Sequence, residues 1–197
     1  MKEKIMRTCL NNGRHEAGFT VIELMAAVAI FAILASIAIP VFSVWRPNYK
    51  LKSAARDLYS NLQMAKLGAV KQNKEWAVVF VQGSDQYYVC SDDDDPVGDS
   101  WDSCPDKFKE KIVNLGDYKY AYFGHASIYP NPGVDGVDFE DGKEIYYAGN
   151  NYVTFSPRGT SKKGYVYIQN SKETVYGIGT RAGGVIHLRK WKGSEWD

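Results

Sequence analysis

Residues 18–44 read GFTVIELMAAVAIFAILASIAIPVFSV, and this run decides what the rest of the chain can be. One carboxylate, Glu23, stands near its start, and no charged side chain occurs from Leu24 to Val44. As an α-helix that uncharged stretch is about 30 Å long, the thickness of the hydrocarbon core of a bilayer. The run therefore predicts a membrane-spanning helix.

A cleaved secretory signal explains this run poorly. Its apolar core is longer than such a signal needs, and no convincing small-residue cleavage site follows the core before Tyr49. The glycine precedes the core, so cleavage after Gly18 would leave the apolar helix on the mature chain. A plain signal anchor, in which Glu23 has no role, is the alternative.

Glu23 is the informative residue of the run. A carboxylate inside a spanning helix costs on the order of 2.5–3.5 kcal/mol and usually has a partner. Cleavage after Gly18 would free the amine of Phe19, a cation four residues from Glu23. Within one helix the two groups would pair only weakly, whereas between neighbouring chains they would neutralise each other in lipid. The sequence therefore predicts a polymer of parallel helices.

These residues resemble the class III leader of type IV pilins and type II secretion pseudopilins. The resemblance implies that a prepilin peptidase cleaves between Gly18 and Phe19, and that Phe19 is then N-methylated. It also implies that Glu23 helps to recruit subunits into a filament, and that Pro40 kinks the helix. The implied partners are other pilins or pseudopilins, the prepilin peptidase, an inner-membrane assembly platform, and the lipid bilayer before assembly.

The charge of the leader predicts the topology. Four basic and two acidic residues lie in residues 1–18, and a positive flank favours the cytoplasmic side. We expect a bacterial inner-membrane protein with a single span, a cytoplasmic N-terminus and a periplasmic head, which later enters the pilus or pseudopilus. Without the leader, the 24 basic and 23 acidic residues become 20 and 21, so net charge indicates no partner.

The chain after the apolar run changes from helical to strand periodicity. Apolar residues recur at a helical spacing at Leu51, Ala55, Leu58, Leu62, Ala65 and Ala69. From residue 76 onward, alternating runs separated by turns predict strands with one buried face, beginning with a hairpin around residues 83–85. The predicted fold class is α+β and pilin-like, with one long N-terminal helix on a β-rich head of antiparallel sheets. The expected parts are a leader (1–18), a transmembrane and assembly helix (19–45), an amphipathic helix (46–73) and the head (74–197).

The soluble part narrows the resemblance. The segments 54–66, 153–160 and 164–168, with a last strand that ends at Arg189-Lys190-Trp191, resemble the GspH/FimT family of minor pilins and pseudopilins. Major pilins usually differ after the helix. The resemblance implies a minor, low-copy structural subunit, at or near the filament tip, that supports filament initiation, protein secretion or pilus biogenesis.

Cys90 and Cys104 bracket an acidic loop. They are the only cysteines left once the leader is removed, and in an oxidising periplasm we expect them to form a disulfide. Two free thiols or a two-cysteine metal site fit less well. The loop carries six aspartates, which are weak candidates for a calcium site: Asp92, Asp93, Asp94, Asp95, Asp99 and Asp102. Their spacing does not match an EF-hand, so a solvated loop is the favoured interpretation.

The C-terminal strand suggests an alternative function, a DNA-binding tip subunit for DNA uptake. The candidate contacts to DNA or to another partner are Arg181, Arg189, Lys190, Trp191 and Lys192. Some FimT-like proteins bind DNA through a Gly-Arg-x-Arg pattern near this position, but residues 183–187 lack both arginines. An ordinary polar sheet edge is the competing interpretation.

An enzyme is the function class that the sequence supports least. It contains no Gly-x-Ser-x-Gly, phosphate loop, dinucleotide fingerprint or zinc-binding cluster, and we expect no cofactor other than the weak calcium candidate. The residues do not separate a secretion machine from a pilus or a DNA-uptake machine.

Overall fold

The computed structural model describes residues 18–91, 101, 104–125, 144–147 and 150–197. The chain divides into two units, Met1–Phe42 and Ser43–Asp197. One α-helix, α1 (Val21–Gln72), continues through Pro40 and Pro47. The kink at Pro40 and the division of the helix at residue 45 stay predictions.

The described part of the head contains nine strands in two antiparallel sheets. They are β1 (Trp76–Val81), β2 (Gln86–Ser91), β3 (Lys109–Asn114), β4 (Tyr122–Phe123), β5 (Ile145–Tyr146), β6 (Tyr152–Phe155), β7 (Gly164–Gln169), β8 (Val175–Thr180) and β9 (Ile186–Lys190). The first sheet has the order β3-β2-β1-β6. The second has the order β4-β7-β8-β9, and β5 also pairs with β7. The α+β class and the long helix on antiparallel sheets are thus confirmed.

The predicted hairpin forms with the expected turn. Val81 pairs with Gln86, Ser84 N–H donates to Val81 O at 3.3 Å, and Gly83 takes a φ of 72°. A positive φ is readily available to glycine, so the tight reversal costs little here.

One segment of the head with alternating side chains forms much less strand than its pattern indicates. Residues 119–123 alternate like a strand, yet only Tyr122–Phe123 pairs with β7. A 3-10 helix over Leu115–Tyr118 precedes it, and the Asn114 side chain accepts a hydrogen bond from Gly116 N–H. Lys119 then adopts a φ of 64°, which takes it out of the extended conformation. The local turn and its hydrogen bond therefore determine the backbone conformation here, and the alternating pattern does not.

The predicted helical stripe packs on the sheets. The side chains of α1 in the main core are Leu51, Ala54, Ala55, Leu58, Leu62, Ala65 and Ala69, all fully buried. A Cβ atom added at Gly68 would lie 2.6 Å from the ring of Trp76, so this ring lies directly on the helix backbone. Trp76 Nε1 also donates to Gln72 Oε1 at 3.3 Å. Together these contacts fix the point where the helix passes into β1.

The expectation of sheets with one buried face was wrong for the central strands. Every residue of β7 and β8 is buried, and so is almost all of β1. A second hydrophobic cluster, which includes Tyr165, Tyr167 and Trp191, covers the outer face of the second sheet. A third, built around Cys90, Cys104 and other side chains, covers the first sheet. Because aromatic residues occupy the outward positions, alternation of side-chain direction does not produce alternation of burial.

Candidate assembly site at the start of the helix

The first turn of α1 is closed by a reciprocal pair of hydrogen bonds between Thr20 and Glu23. Glu23 N–H donates to Thr20 Oγ1 at 3.2 Å. In return, Thr20 N–H and Thr20 Oγ1 donate to Glu23 Oε2 at 3.0 and 2.9 Å. This is a capping box, in which a threonine at the N-cap and a glutamate three residues later satisfy each other's backbone N–H groups. The sequence interpretation missed it, although the Thr-x-x-Glu spacing before an apolar run is its signature.

The capping box gives Glu23 a partner inside its own helix. Two donors converge on Oε2, and the carboxylate lies at the positive end of the helix dipole. Both effects lower the cost of placing this charge in a spanning helix. The amine of Phe19, which the sequence interpretation considered, is therefore not the only group on the chain that stabilises Glu23.

The segment that follows Glu23 on the same chain is uncharged and mostly apolar. Residues 18–44 contain no basic side chain, so a cation for Glu23 must come from a freed amine or from another chain. Apolar side chains along the segment stand in the open, for example Phe31 at 71% and Ile39 at 69% exposure. Among the described residues, α1 is the one helix whose length and composition suit a membrane span.

The predicted disulfide is present. Cys90 on β2 is bonded to Cys104, with 6.4 Å between the two Cα atoms. Both residues are buried, and they pack with Ala77, Val79 and Tyr152 on the outer face of the first sheet. The bond therefore closes the acidic loop and also anchors a hydrophobic cluster.

The basic residues proposed for DNA are not brought together. Arg181 lies in the turn between β8 and β9, where Gly184 N–H donates to Arg181 O at 2.7 Å. Lys190 and Lys192 lie at the opposite end of β9, about 20 Å away at the usual rise per strand residue. Alternation along β9 also directs Arg189 and Lys190 to opposite faces.

The tryptophans near these residues offer little surface for base stacking. Trp191 is only 8% exposed, and its ring packs on Trp196 with centroids 5.4 Å apart. Lys192 Nζ forms an ion pair with Asp197 Oδ1 at 3.0 Å. The combined cationic and aromatic face suggested by the sequence is thus not formed at β9.

The calcium candidates Asp92–Asp95, Asp99 and Asp102 lie outside the described residues, so a calcium site stays a prediction. A second group of acidic residues, Asp135, Asp138, Glu140 and Asp141, also lies outside the described residues. Within the described residues, no group of three or more potential metal-ligating side chains is found. Of the histidines in the described part of the chain, His125 packs edge-on against Tyr167, and His187 is half-buried on β9.

Comparison with known families decides what the chain is. Residues 13–39 match the prokaryotic N-terminal methylation motif, and residues 54–184 match the type II transport protein GspH over more than half of the chain. The chain belongs to the GspH family. No curated protein matches it significantly by sequence.

Two solved structures share features of the fold with this GspH-family chain at low sequence identity. The type IV minor pilin FimU of Pseudomonas aeruginosa is 14% identical, with a TM-score of 0.48, 76% of this chain and 94% of FimU being covered. The minor pseudopilin EpsH of the type 2 secretion system of Vibrio cholerae is 13% identical, with a TM-score of 0.46 and coverages of 71% and 95%.

Family membership confirms the coarse function. The GspH-family chain is a minor pilin or pseudopilin of a type IV pilus or a type II secretion system, and it is a structural subunit, not an enzyme. Its N-terminal apolar helix is its membrane anchor. The family also implies prepilin peptidase processing and other pilins or pseudopilins as partners.

Proposed function

We propose that the GspH-family chain is a low-copy subunit at or near the tip of a filament assembled from the bacterial inner membrane. In this role it supports filament initiation, protein secretion or pilus biogenesis. For assembly into a filament, the observation that carries the proposal is the Thr20–Glu23 capping box, which is followed by an uncharged stretch from Leu24 to Val44. The capping box orients the Glu23 carboxylate, and no other side chain in residues 18–44 is charged.

The chemistry begins at the peptide bond between Gly18 and Phe19. Hydrolysis by the prepilin peptidase adds water across this bond, leaves a carboxylate on Gly18 and frees the amine of Phe19. That amine takes up a proton, and N-methylation preserves the charge. The mature apolar segment, residues 19–44, then carries one cation at its first residue and one anion at Glu23.

Subunit recruitment follows from the geometry of the carboxylate. Both hydrogen bonds from Thr20 reach Oε2 and fix the side chain on its own helix turn. Oε1 then accepts the charged amine of Phe19 from a neighbouring chain. Because the surrounding medium is apolar, this pair is poorly screened and sets the axial register of the two helices.

The proposed topology places the head in the periplasm. The basic leader favours a cytoplasmic N-terminus, and the Cys90–Cys104 disulfide fits an oxidising compartment. Before assembly, the bilayer holds the helix, and the inner-membrane assembly platform accepts it from there.

Glu23→Ala tests the assembly role. Leader cleavage should stay intact, because the Gly18–Phe19 bond is unchanged, while the amount of the chain in purified filaments should fall sharply. Thr20→Ser, which keeps the hydroxyl of the capping box, is the matched control. Wild-type incorporation of Glu23→Ala would refute the pairing. A deletion strain scored in parallel for exoprotein release, surface piliation and DNA uptake identifies the machine.

A further inference from the structure

Two turns of the head close on the last part of α1. Lys66 Nζ donates to Gly184 O, in the β8–β9 turn, at 2.9 Å. A Cβ atom added at Gly184 would lie 1.8 Å from Gly159 O, so the backbones of the two turns touch. A Cβ atom at Gly159 would in turn lie 3.4 Å from Val70 Cγ2. Helix and turns therefore form one tightly packed junction.

Three apolar side chains project from this junction into solvent. Leu67 and Val70 on α1 are 65% and 50% exposed, and Val185 beside the β8–β9 turn is 52% exposed. Leu67 and Val70 are neighbours on one helix face because they are three residues apart. Single exposed apolar residues are common, whereas several on neighbouring packed segments are typical of an interaction surface. We name these three residues and the cations on the junction the α1-end patch.

Cations occur on the segments of this junction, as do these apolar side chains. They come from the end of α1 and from the turn after β6, and are Lys66, Lys71, Arg158 and Lys163. Within segments 63–75, 156–163 and 181–185 the one acidic residue is Glu75. In the described part of the chain, Lys71, Arg158 and Lys163 form no ion pair. An apolar centre with a charged rim is the anatomy of a protein interface, and a rim of one sign selects a partner of the opposite sign.

The side chains of the patch favour a protein partner over a nucleic acid. Binding of single strands relies on exposed aromatic rings on which bases stack. The three segments contain no aromatic residue, and the neighbouring Trp76 is only 5% exposed because it packs on the helix. Aliphatic side chains inside a cationic rim instead fit an apolar residue flanked by carboxylates.

We propose that the α1-end patch docks a neighbouring filament subunit, of a different sequence, that presents carboxylates around an apolar side chain. The inference rests on the proposed function, since it requires the chain to lie in a filament. Leu67 and Val185 are buried by the contact, and Lys71 and Arg158 pair with the carboxylates.

Site-specific photo-crosslinking of the full chain in assembling cells tests the docking. A photoreactive residue replaces Leu67, and the matched site is Ile112 on β3, which is also apolar and 60% exposed. From position 67 we expect a crosslinked product that joins the chain to another pilin or pseudopilin at a peptide rich in Asp or Glu. From position 112 we expect no such product. Lys71→Glu with Arg158→Glu should lower the yield from position 67 at least about fivefold, whereas Lys172→Glu, on an exposed cation in the β7–β8 turn, should leave it unchanged.

Several results would overturn the docking. One is a crosslink from position 67 to DNA, to lipid or to a second copy of this chain. Another is the absence of any crosslink in assembled filaments. The third is a crosslink yield that the charge-reversal variant does not change. Formation of the Cys90–Cys104 disulfide in each variant reports that the head has folded. If Glu23→Ala assembles normally, the proposed function fails. If the wild-type chain assembles but position 67 gives no subunit product, only the docking fails.

Discussion

Thr20→Val is the sharpest test of the capping box, because valine has nearly the shape of threonine but lacks its hydroxyl. The substitution removes the bond from Oγ1 to Glu23 Oε2 and the bond from Glu23 N–H to Oγ1. The backbone bond from Thr20 N–H to Oε2 remains. The variant thus weakens the support of Glu23 without deleting the carboxylate.

The size of the effect follows from the two lost bonds. Loss of an N-cap side chain costs about 1 kcal/mol, and a hydrogen bond to a charged group contributes about 1.5–3 kcal/mol. Allowing for the retained backbone bond, we expect the assembled pair to lose about 2 kcal/mol relative to the chain in the membrane, because the carboxylate is no longer held in position for the neighbouring amine. At about 1.4 kcal/mol per factor of ten, incorporation should fall more than tenfold.

The assay compares the chain in purified filaments with the chain in the membrane pool, with leader cleavage checked by mass. Thr20→Ser should assemble like the wild type. In a Glu23→Gln background, Thr20→Val should cause a much smaller further loss, since no ionised carboxylate is left to support. The reasoning is refuted if Thr20→Val assembles within twofold of the wild type, or if its effect is as large in the Glu23→Gln background.

Three further predictions concern the head. Replacing Cys90 and Cys104 by serine should lower its free energy of unfolding by about 3 kcal/mol, measured by denaturant titration, and a reductant should then have no further effect. Gly184→Ala should destabilise the head by at least about 1–2 kcal/mol, because a residue with a side chain is strained at a φ of 71° and its Cβ atom would collide with Gly159 O. At Gly183 an added Cβ atom has no neighbour within 4 Å, so Gly183→Ala should be nearly neutral in the same titration. Burial, followed by the bond to a carboxylate, raises the pKa of Tyr118 above its unfolded value. The neutral phenol is favoured in the folded state, so its contribution to the free energy of unfolding is complete below about pH 10 and is lost as the pH rises further. Tyr118→Phe should therefore make the free energy of unfolding fall less steeply at alkaline pH.

Features that depend on local spacing could be predicted from the sequence. The uncharged run with Glu23 near its start is read directly from the sequence, and the buried stripe from Leu51 to Ala69 and the strand-like segments along the head follow from side-chain periods of 3.6 and 2. The Cys90–Cys104 disulfide was also predicted, because it needs only the number of cysteines and the compartment. The capping box was readable in principle, since its two residues are three positions apart.

Features that depend on residues far apart in the chain were decided by the tertiary structure alone. Trp191 looked like an exposed stacking surface until the packing of Trp196 covered it. The contact of Lys66 with Gly184 joins positions 118 apart, and no local pattern encodes it. Periodicity determines which way a side chain points, but burial depends on what the other sheet, the helix or a distant turn places over it.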